Sequence, residues 1–412
     1  MKQNIPFSPP FINREIIEEV VDALQSGWIT SGPKMKALEK TVEDFSKIPK
    51  ALCVNSATAG MELMLRWFGV QEGDEVIVPA YTYCSTANVV LHCGATPVMV
   101  DVRADDFTID TRAIAKAVTN KTKVIMPVDI GGYPCDYTEI WDIIHEQKDK
   151  FQPRTPEQEK LGRIMLLADA AHSLGANYEN SPAAQCTDVA VYSFHAVKNL
   201  TTAEGGAVAL NLPKDDFDNE EIYKSLYIKI LHGQTKDALA KTTGVNSWEY
   251  DVVEAGYKWN MPDVLAAIGL AGMRSYKPQL ERRRDICEMY EDELGGFAWA
   301  ELPICNTGSR ESSYHLYMLR IKKCTLAQRN EIISLIFEQG VSVNVHYKPL
   351  PLLTVYKNLD YKIDDYPVTK SNWEREISLP VYPHLTDAQV HEIVAAVAKA
   401  VTQVLVKVLV KK

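Results

Sequence analysis

The sequence has no CxxC pair among its eight cysteines, and no HExxH motif or Cys/His cluster among its nine histidines. Scattered cysteines in a chain of 412 residues give no disulfide framework, so reduced and mostly buried thiols are expected, and a metal site has no support. Positive charge is in short supply. Lys and Arg number 44 against 54 Asp and Glu, a formal net charge of −10. A broad nucleic-acid footprint needs clustered basic residues, and this balance argues against one. No apolar run reaches the roughly 18 residues of a membrane span, and the tail from Ala395 to Val410 is broken by Lys399 and Lys407. The segment Met1 to Phe7 lacks the apolar stretch of a signal peptide. A cytoplasmic protein with no nucleic-acid or membrane partner is expected.

What is present is ordinary globular material, 46% apolar and 24% charged, in a length suited to two or three domains. From Ala51 to Leu210 short apolar runs alternate with helical patterns. Strands are predicted at 51–54, 75–78, 97–102, 123–128, 164–168, 188–194 and 207–210, and helices at 59–68, 85–91, 111–118 and 137–145. Runs apolar on both faces belong to a mostly parallel sheet covered by helices, so the fold class is α/β. The polar stretch from Gln147 to Gly162 reads as a solvated surface insertion. Beyond about Trp248 the character changes to an alanine-rich helix (262–273), a charged helix (277–293), strands at 314–321 and 341–345, and helices at 326–339 and 386–410. The expected division is an N-terminal arm over 1–33, a large domain over 34–270, and a smaller C-terminal α/β domain over 271–412.

In an open α/β sheet, ligands sit beyond the carboxyl ends of the strands, so polar residues just past each run carry the weight. Ser56-Ala57-Thr58-Ala59 follows the first strand, where small residues and a helix N-terminus make a phosphate cup, or else only an N-cap. Asp169 stands on the lip of a buried strand, where a carboxylate is costly without a cationic partner, supplied by protein or cofactor. Lys198 lies in a short loop between two apolar strands, five residues after Ser193 and ahead of Gly205-Gly206. Desolvation there lowers an amine's pKa and makes it the nucleophile of Schiff-base chemistry. Tyr81-Thr82-Tyr83, past the second strand, offers an aromatic cover for a planar ring. A phosphate cup, a strand-end acid, a stacking ring and a buried amine on one sheet edge together describe a site for pyridoxal 5′-phosphate (PLP).

Those residues also resemble the DegT/StrS-type nucleotide-sugar aminotransferases, which have the aspartate aminotransferase-like, type I PLP-dependent transferase fold. The resemblance runs almost end to end. It begins at Gly27-Trp28-Ile29-Thr30-Ser31-Gly32-Pro33 and continues through Ser56-Ala57-Thr58, Pro79-Ala80-Tyr81-Thr82-Tyr83 and Asp169-Ala170-Ala171-His172. Ser193-Phe194-His195 with Lys198 is its most specific element. Later matches are Glu204-Gly205-Gly206, Gly256-Tyr257-Lys258-Trp259-Asn260-Met261, His315-Leu316-Tyr317, Val345-His346-Tyr347 and Leu379-Pro380.

The resemblance implies that Lys198 is the Schiff-base lysine and that Asp169 holds the pyridine nitrogen protonated. It places His172 at the ring's phenolic oxygen, Tyr83 on the ring face, and Ala57, Thr58 and Ser193 on the phosphate. Lys258, on a segment expected to reach into a partner subunit's site, is a further phosphate contact, where many relatives carry asparagine. Thr30, His195, His346 and Tyr347 fall near the sugar nucleotide. Relatives commonly show another histidine shortly after the His-Tyr pair, where this chain has Pro351. The implied activity is amino transfer from an amino acid, by family expectation glutamate, to a keto-sugar linked to a nucleoside diphosphate, in a homodimer with a shared active site. Lys34, Lys36, Lys348 and Arg310 are candidate diphosphate contacts. A dehydratase relative would carry histidine at the lysine position. A type I aminotransferase acting on another keto substrate fits composition equally, and a catalytically idle sugar-nucleotide-binding relative is opposed by the intact Lys198 and Asp169.

Overall fold

Five-residue apolar stretches such as Met165–Asp169, buried at every position, form the centre of the molecule. The computed structural model describes residues 4–236 and 249–410, with side chains to residue 405; the compositional change near Trp248 lies just outside the described residues. Seven strands make one sheet: β1 (Lys50–Val54), β2 (Glu75–Pro79), β3 (Thr96–Val100), β4 (Thr122–Ile125), β5 (Met165–Asp169), β6 (Val189–Ser193) and β7 (Gly206–Leu210), in the order β1-β7-β6-β5-β4-β2-β3. All neighbours run parallel except β7, which is antiparallel to β1 and β6. The expected mostly parallel α/β sheet is therefore the observed one, and all seven of its strands fall on predicted runs.

Helices α1 (Arg14–Gln25) and α2 (Pro33–Ser46) precede the sheet, although no element is predicted ahead of Ala51. Both pack against a later helix, Asp263–Arg274. Asn13 caps α1 by accepting from the Ile16 N–H, and proline at the first position starts α2. Helix α3 (Ala57–Trp67) follows β1, and α4 (Ser85–His92) follows β2.

The stretch from Gln147 to Gly162 lies at the surface as predicted, with most of its positions exposed, but it is not an irregular loop throughout. Phe151 is buried in the main core, and Pro156–Leu161 is a short helix with Thr155 as its cap, proline at its start and Gly162 in the left-handed region (φ 64°) at its end. Gln158 is fully buried with both polar ends paired: its amide donates to the Phe68 carbonyl (2.9 Å) and its oxygen accepts from the Arg154 N–H (2.9 Å). A polar composition hid three buried anchors, Phe151, Gln158 and Leu161, that tie the segment to the main body.

A second core gathers the long helix Tyr276–Leu294, the helix Leu326–Glu338, the terminal helix and a three-stranded sheet of Ala300–Glu301, Tyr317–Ile321 and Glu376–Leu379. The predicted strand over 341–345 is not formed. Val341 pairs only with Ile5, and Asn344 only with Ser378, so the segment is shared between two partners and extends neither. Ile5 thereby joins the second core, and the chain's first described residues are stitched to its last third. Phe7 continues this strap by stacking on His346, ring centroids 5.4 Å apart. No helix among the described residues is long and apolar enough to cross a membrane.

Candidate active site

A cavity of about 430 Å³ opens at the carboxyl ends of β1, β2, β5 and β6. Its floor is set by Asp169, the last residue of β5, which is 3% exposed. One carboxylate oxygen accepts from the Thr86 hydroxyl (2.8 Å) and the other from the Ala171 N–H (3.2 Å). Thr86 in turn meets Thr82 at 2.9 Å, four residues back in the loop ahead of α4. No ion pair is made to Asp169 by the described residues. Burial pushes its carboxyl up, and the Thr86 and Ala171 bonds with the nearby charge of Lys198 pull it back. An acid so placed lacks a cation, as a protonated ring nitrogen would be.

Lys198 sits in the loop after β6, fixed by its own N–H donating to the His195 carbonyl (2.9 Å). Its amine makes no hydrogen bond to a described residue. Desolvation lowers it to about 8, with Asp169 opposing the shift. That is the desolvated, reactive amine expected of this position.

Opposite stands the start of α3. Ser56 caps it by accepting from the Ala59 N–H (3.1 Å), leaving the first-turn N–H groups at Ala57 and Thr58 toward the cavity. Ser193 ends β6 beside them, in register with Gly206. A Cβ at Gly206 would lie 2.6 Å from the Tyr192 carbonyl and 2.7 Å from the Ala57 nitrogen. Only glycine lets β7 approach the helix start so closely, so strand and cup are built together. The cup, the acid and the amine converge on one cavity, and their chemistry fits PLP.

His172 is buried, and its Nδ1 accepts from the Gly131 N–H (3.1 Å). Burial, first, then the charge of Lys198, hold it well below the usual histidine range. The ring is therefore neutral with its proton on Nε2, which meets the Tyr347 hydroxyl at 3.0 Å. Both nitrogens thus have protein partners, and a contact of Nε2 with a ligand would compete with Tyr347. Tyr83, 57% exposed, lies at the mouth with its ring 5.6 Å from that of Tyr347. His346 and His195 also line the cavity. His195 approaches Glu204 at 3.6 Å on the exposed rim.

Ten of the residues singled out in the sequence line this one cavity: Ala57, Thr58, Tyr83, Asp169, His172, Ser193, His195, Lys198, His346 and Tyr347. Thr30 and Lys258 do not line it. Thr30 accepts from the Asp263 N–H and Lys258 bridges Leu231, away from the cavity of their own chain. Three of the four candidate diphosphate contacts are already engaged. Lys34 pairs with Glu19 and Asp22, Lys36 with Glu39 (3.4 Å), and Arg310 with Asp106 (3.6 Å). Sequence reasoning missed Thr86 and gave Thr82, within the Tyr81-Thr82-Tyr83 motif, no role of its own. Their four-residue spacing, just past the end of β2 and on either side of Tyr83, was the available signal.

Comparison with known proteins agrees with this geometry. A model of the DegT/DnrJ/EryC1/StrS aminotransferase family matches residues 10–398. A Streptococcus pneumoniae protein assigned as a sugar aminotransferase, solved in its PMP form, superposes with a TM-score of 0.94 at 45% identity, covering 97% of this chain and 100% of that one. The same protein has been solved in a PLP form. The spore coat polysaccharide biosynthesis protein SpsC of Bacillus subtilis is 33% identical over 396 residues, 95% of this chain and 96% of its own. Helicobacter pylori PseC, an aminotransferase involved in pseudoaminic acid biosynthesis, shares the fold at 24% identity, with a TM-score of 0.86 over 97% of this chain and 99% of that one.

Proposed function

The chain belongs to the DegT/DnrJ/EryC1/StrS aminotransferase family, whose cofactor is PLP, and from that premise we propose that it moves an amino group from L-glutamate to a keto-sugar carried on a nucleoside diphosphate. The observation that carries the reading is a buried acid that makes no ion pair to a described residue and shares one cavity with a desolvated lysine. Bound there, the cofactor supplies an electron sink for bond changes at the carbon bearing the amine.

The protein's own residues do the rest. Asp169, held by Thr86, pairs with a positively charged ring nitrogen. The first turn of α3 with Thr58 and Ser193 takes the phosphate, and Tyr83 covers the ring at the mouth. Lys198, an amine lowered toward neutrality, would accept a proton from the carbon bearing the amine and give it back on the far side of the nitrogen, as a positioned base and then acid. His346 and Tyr347, on the far wall, face the sugar.

The working unit of this proposal is a homodimer acting in the cytoplasm, in which Thr30 and Lys258 serve the neighbour's cavity. In its support, α1 exposes Ile17, Val21 and Leu24 at helical spacing, and Tyr250, Val252 and Val253 are exposed near Lys258. The test is direct. Purified protein is yellow, loses that colour with glutamate, and regains it when offered the right member of a panel of nucleotide-linked keto-sugars. Lys198→Ala abolishes borohydride trapping of the cofactor and lowers turnover by at least about a thousandfold. A Lys198→Ala protein that still traps cofactor in this cavity would refute the assignment.

A further inference from the structure

Behind the far wall of the cavity lies a buried acid for which the amino-transfer reading has no use. Alternation along the strand Glu376–Leu379 puts Glu376 and Ser378 on one face, both fully buried. The segment before His346 docks on that strand through mutual backbone bonds of Asn344 and Ser378. One Glu376 oxygen accepts from the His346 N–H (3.1 Å), and the other is bonded to the Ser378 hydroxyl. The Ser378 oxygen also meets His346 Nδ1 at 2.8 Å. His346 lines the cavity, and its Nε2 makes no hydrogen bond to a described residue. Carboxyl, hydroxyl and imidazole thus form a continuous line from the core to the cavity.

We propose that Glu376 and Ser378 form a proton relay behind His346, which takes up a proton arriving at Nε2 and stores it on the Glu376 carboxyl. This rests on the reading of the cavity as the sugar site. With Glu376 ionised, Ser378 donates to it, Nδ1–H donates to Ser378, and Nε2 presents a lone pair. When a proton binds Nε2, the Nδ1 proton passes to the Ser378 oxygen and the Ser378 proton passes to Glu376. One proton enters, one carboxylate becomes a carboxylic acid, and the imidazole stays neutral with its N–H transferred from Nδ1 to Nε2. The ring never becomes a buried cation, which its surroundings resist: burial and the charge of Lys198 hold it down at about 3.

The charges around the reservoir let it work near neutrality. Burial pushes the Glu376 carboxyl up to about 8, against the Ser378 and His346 bonds and the guanidiniums of Arg329 and Arg320. Tyr81 and Tyr347 also face it and are themselves held neutral by burial. Ser378 and Glu376 are positioning residues here, since only His346 reaches the cavity.

The test uses holoenzyme labelled with 15N-histidine, the His346 signals being assigned with His346→Asn. Wild type is expected to carry the proton on Nδ1 at about pH 9.5 and on Nε2 at about pH 6.5, with a midpoint set by Glu376. Glu376→Gln locks the Nε2–H form. The His346 N–H requires the amide oxygen, so the amide NH2 faces Ser378 and turns its hydroxyl toward Nδ1. Ser378→Ala abolishes the switch and Ser378→Thr restores it, which keeps the test open should Glu376→Gln fold poorly. Transfer to the sugar falls roughly 10- to 100-fold in Glu376→Gln and loses its pH dependence. The amino-acid half-reaction, read from cofactor absorbance, stays within about twofold. A single His346 tautomer across this pH range, or a Glu376→Gln protein that titrates like wild type, overturns the relay even when amine transfer is intact. Failure to transfer amine to any sugar with the tautomer switch present defeats the functional reading instead.

Discussion

Thr86→Val is the sharpest probe of the site, because it removes one hydroxyl and nearly no volume from beneath the cofactor's proposed ring nitrogen. The hydroxyl donates to the buried Asp169 carboxylate at 2.8 Å. A hydrogen bond to a charged, desolvated acceptor contributes about 1.5–3 kcal/mol. At 1.36 kcal/mol per pKa unit, losing it raises the Asp169 carboxyl by about one to two units. Burial already pushes that carboxyl upward, so the shift adds to an existing bias toward the neutral acid. A neutral acid cannot hold a ring nitrogen positive. The acid limb of the rate–pH profile is therefore expected to move to higher pH by about one to two units. Turnover below that limb falls about 10- to 100-fold. Stopped-flow absorbance of the glutamate half-reaction from about pH 5 to 9 gives both numbers, and Thr86→Ser, which keeps the donor, should track wild type. A Thr86→Val enzyme with an unshifted acid limb would show that Asp169 is not held by this bond, and the electron-sink argument would lose its support.

Three further outcomes follow from other parts of the molecule. Gly206→Ala drives a methyl into the Tyr192 carbonyl and the Ala57 nitrogen, so we expect about 1–3 kcal/mol of destabilisation and at least a tenfold weaker hold on the cofactor, measured by thermal melts and cofactor titration. Reloading of apoenzyme with cofactor requires the neutral Lys198 amine; its rate should rise with pH and level off above about 8, rather than climbing on toward the usual 10.5. Glu376 is raised from an ordinary 4.5 to about 8 on folding, so the native state binds the extra proton and stability falls as pH rises between those values. Melts of Glu376→Gln should lack that slope, and a parallel slope in both proteins would count against the assignment.

The chemistry was legible in the sequence because it sits at strand ends. A run such as Ile164–Ala168 announces a buried strand by composition alone, and the residue that breaks it, Asp169, is then placed without further information. Lys198 was readable for the same reason, lying between two such runs. What escaped notice depends on long-range pairing. Glu376 and Ser378 look like ordinary strand polarity until His346, some thirty residues earlier, docks against them. The helices before Ala51 did carry local signals, Asn13 as a cap and Pro33 at a helix start, but no strand beside them drew the eye, and their packing partner Asp263–Arg274 lies far along the chain. Gln158 was concealed by the reverse effect, a polar side chain buried because its partners are backbone groups near and far.

The pairing of Ile5 with Val341 also dictates how the enzyme is born. Synthesis delivers Ile5 first and its partner more than three hundred residues afterwards, which at 5–20 residues per second is roughly twenty to seventy seconds. Until then the leading segment has nothing to pair with, and the wall carrying His346 and Tyr347 does not yet exist. Closing of the cavity's far wall is thus among the late events of synthesis, coming well after the residues that face the cofactor have been made.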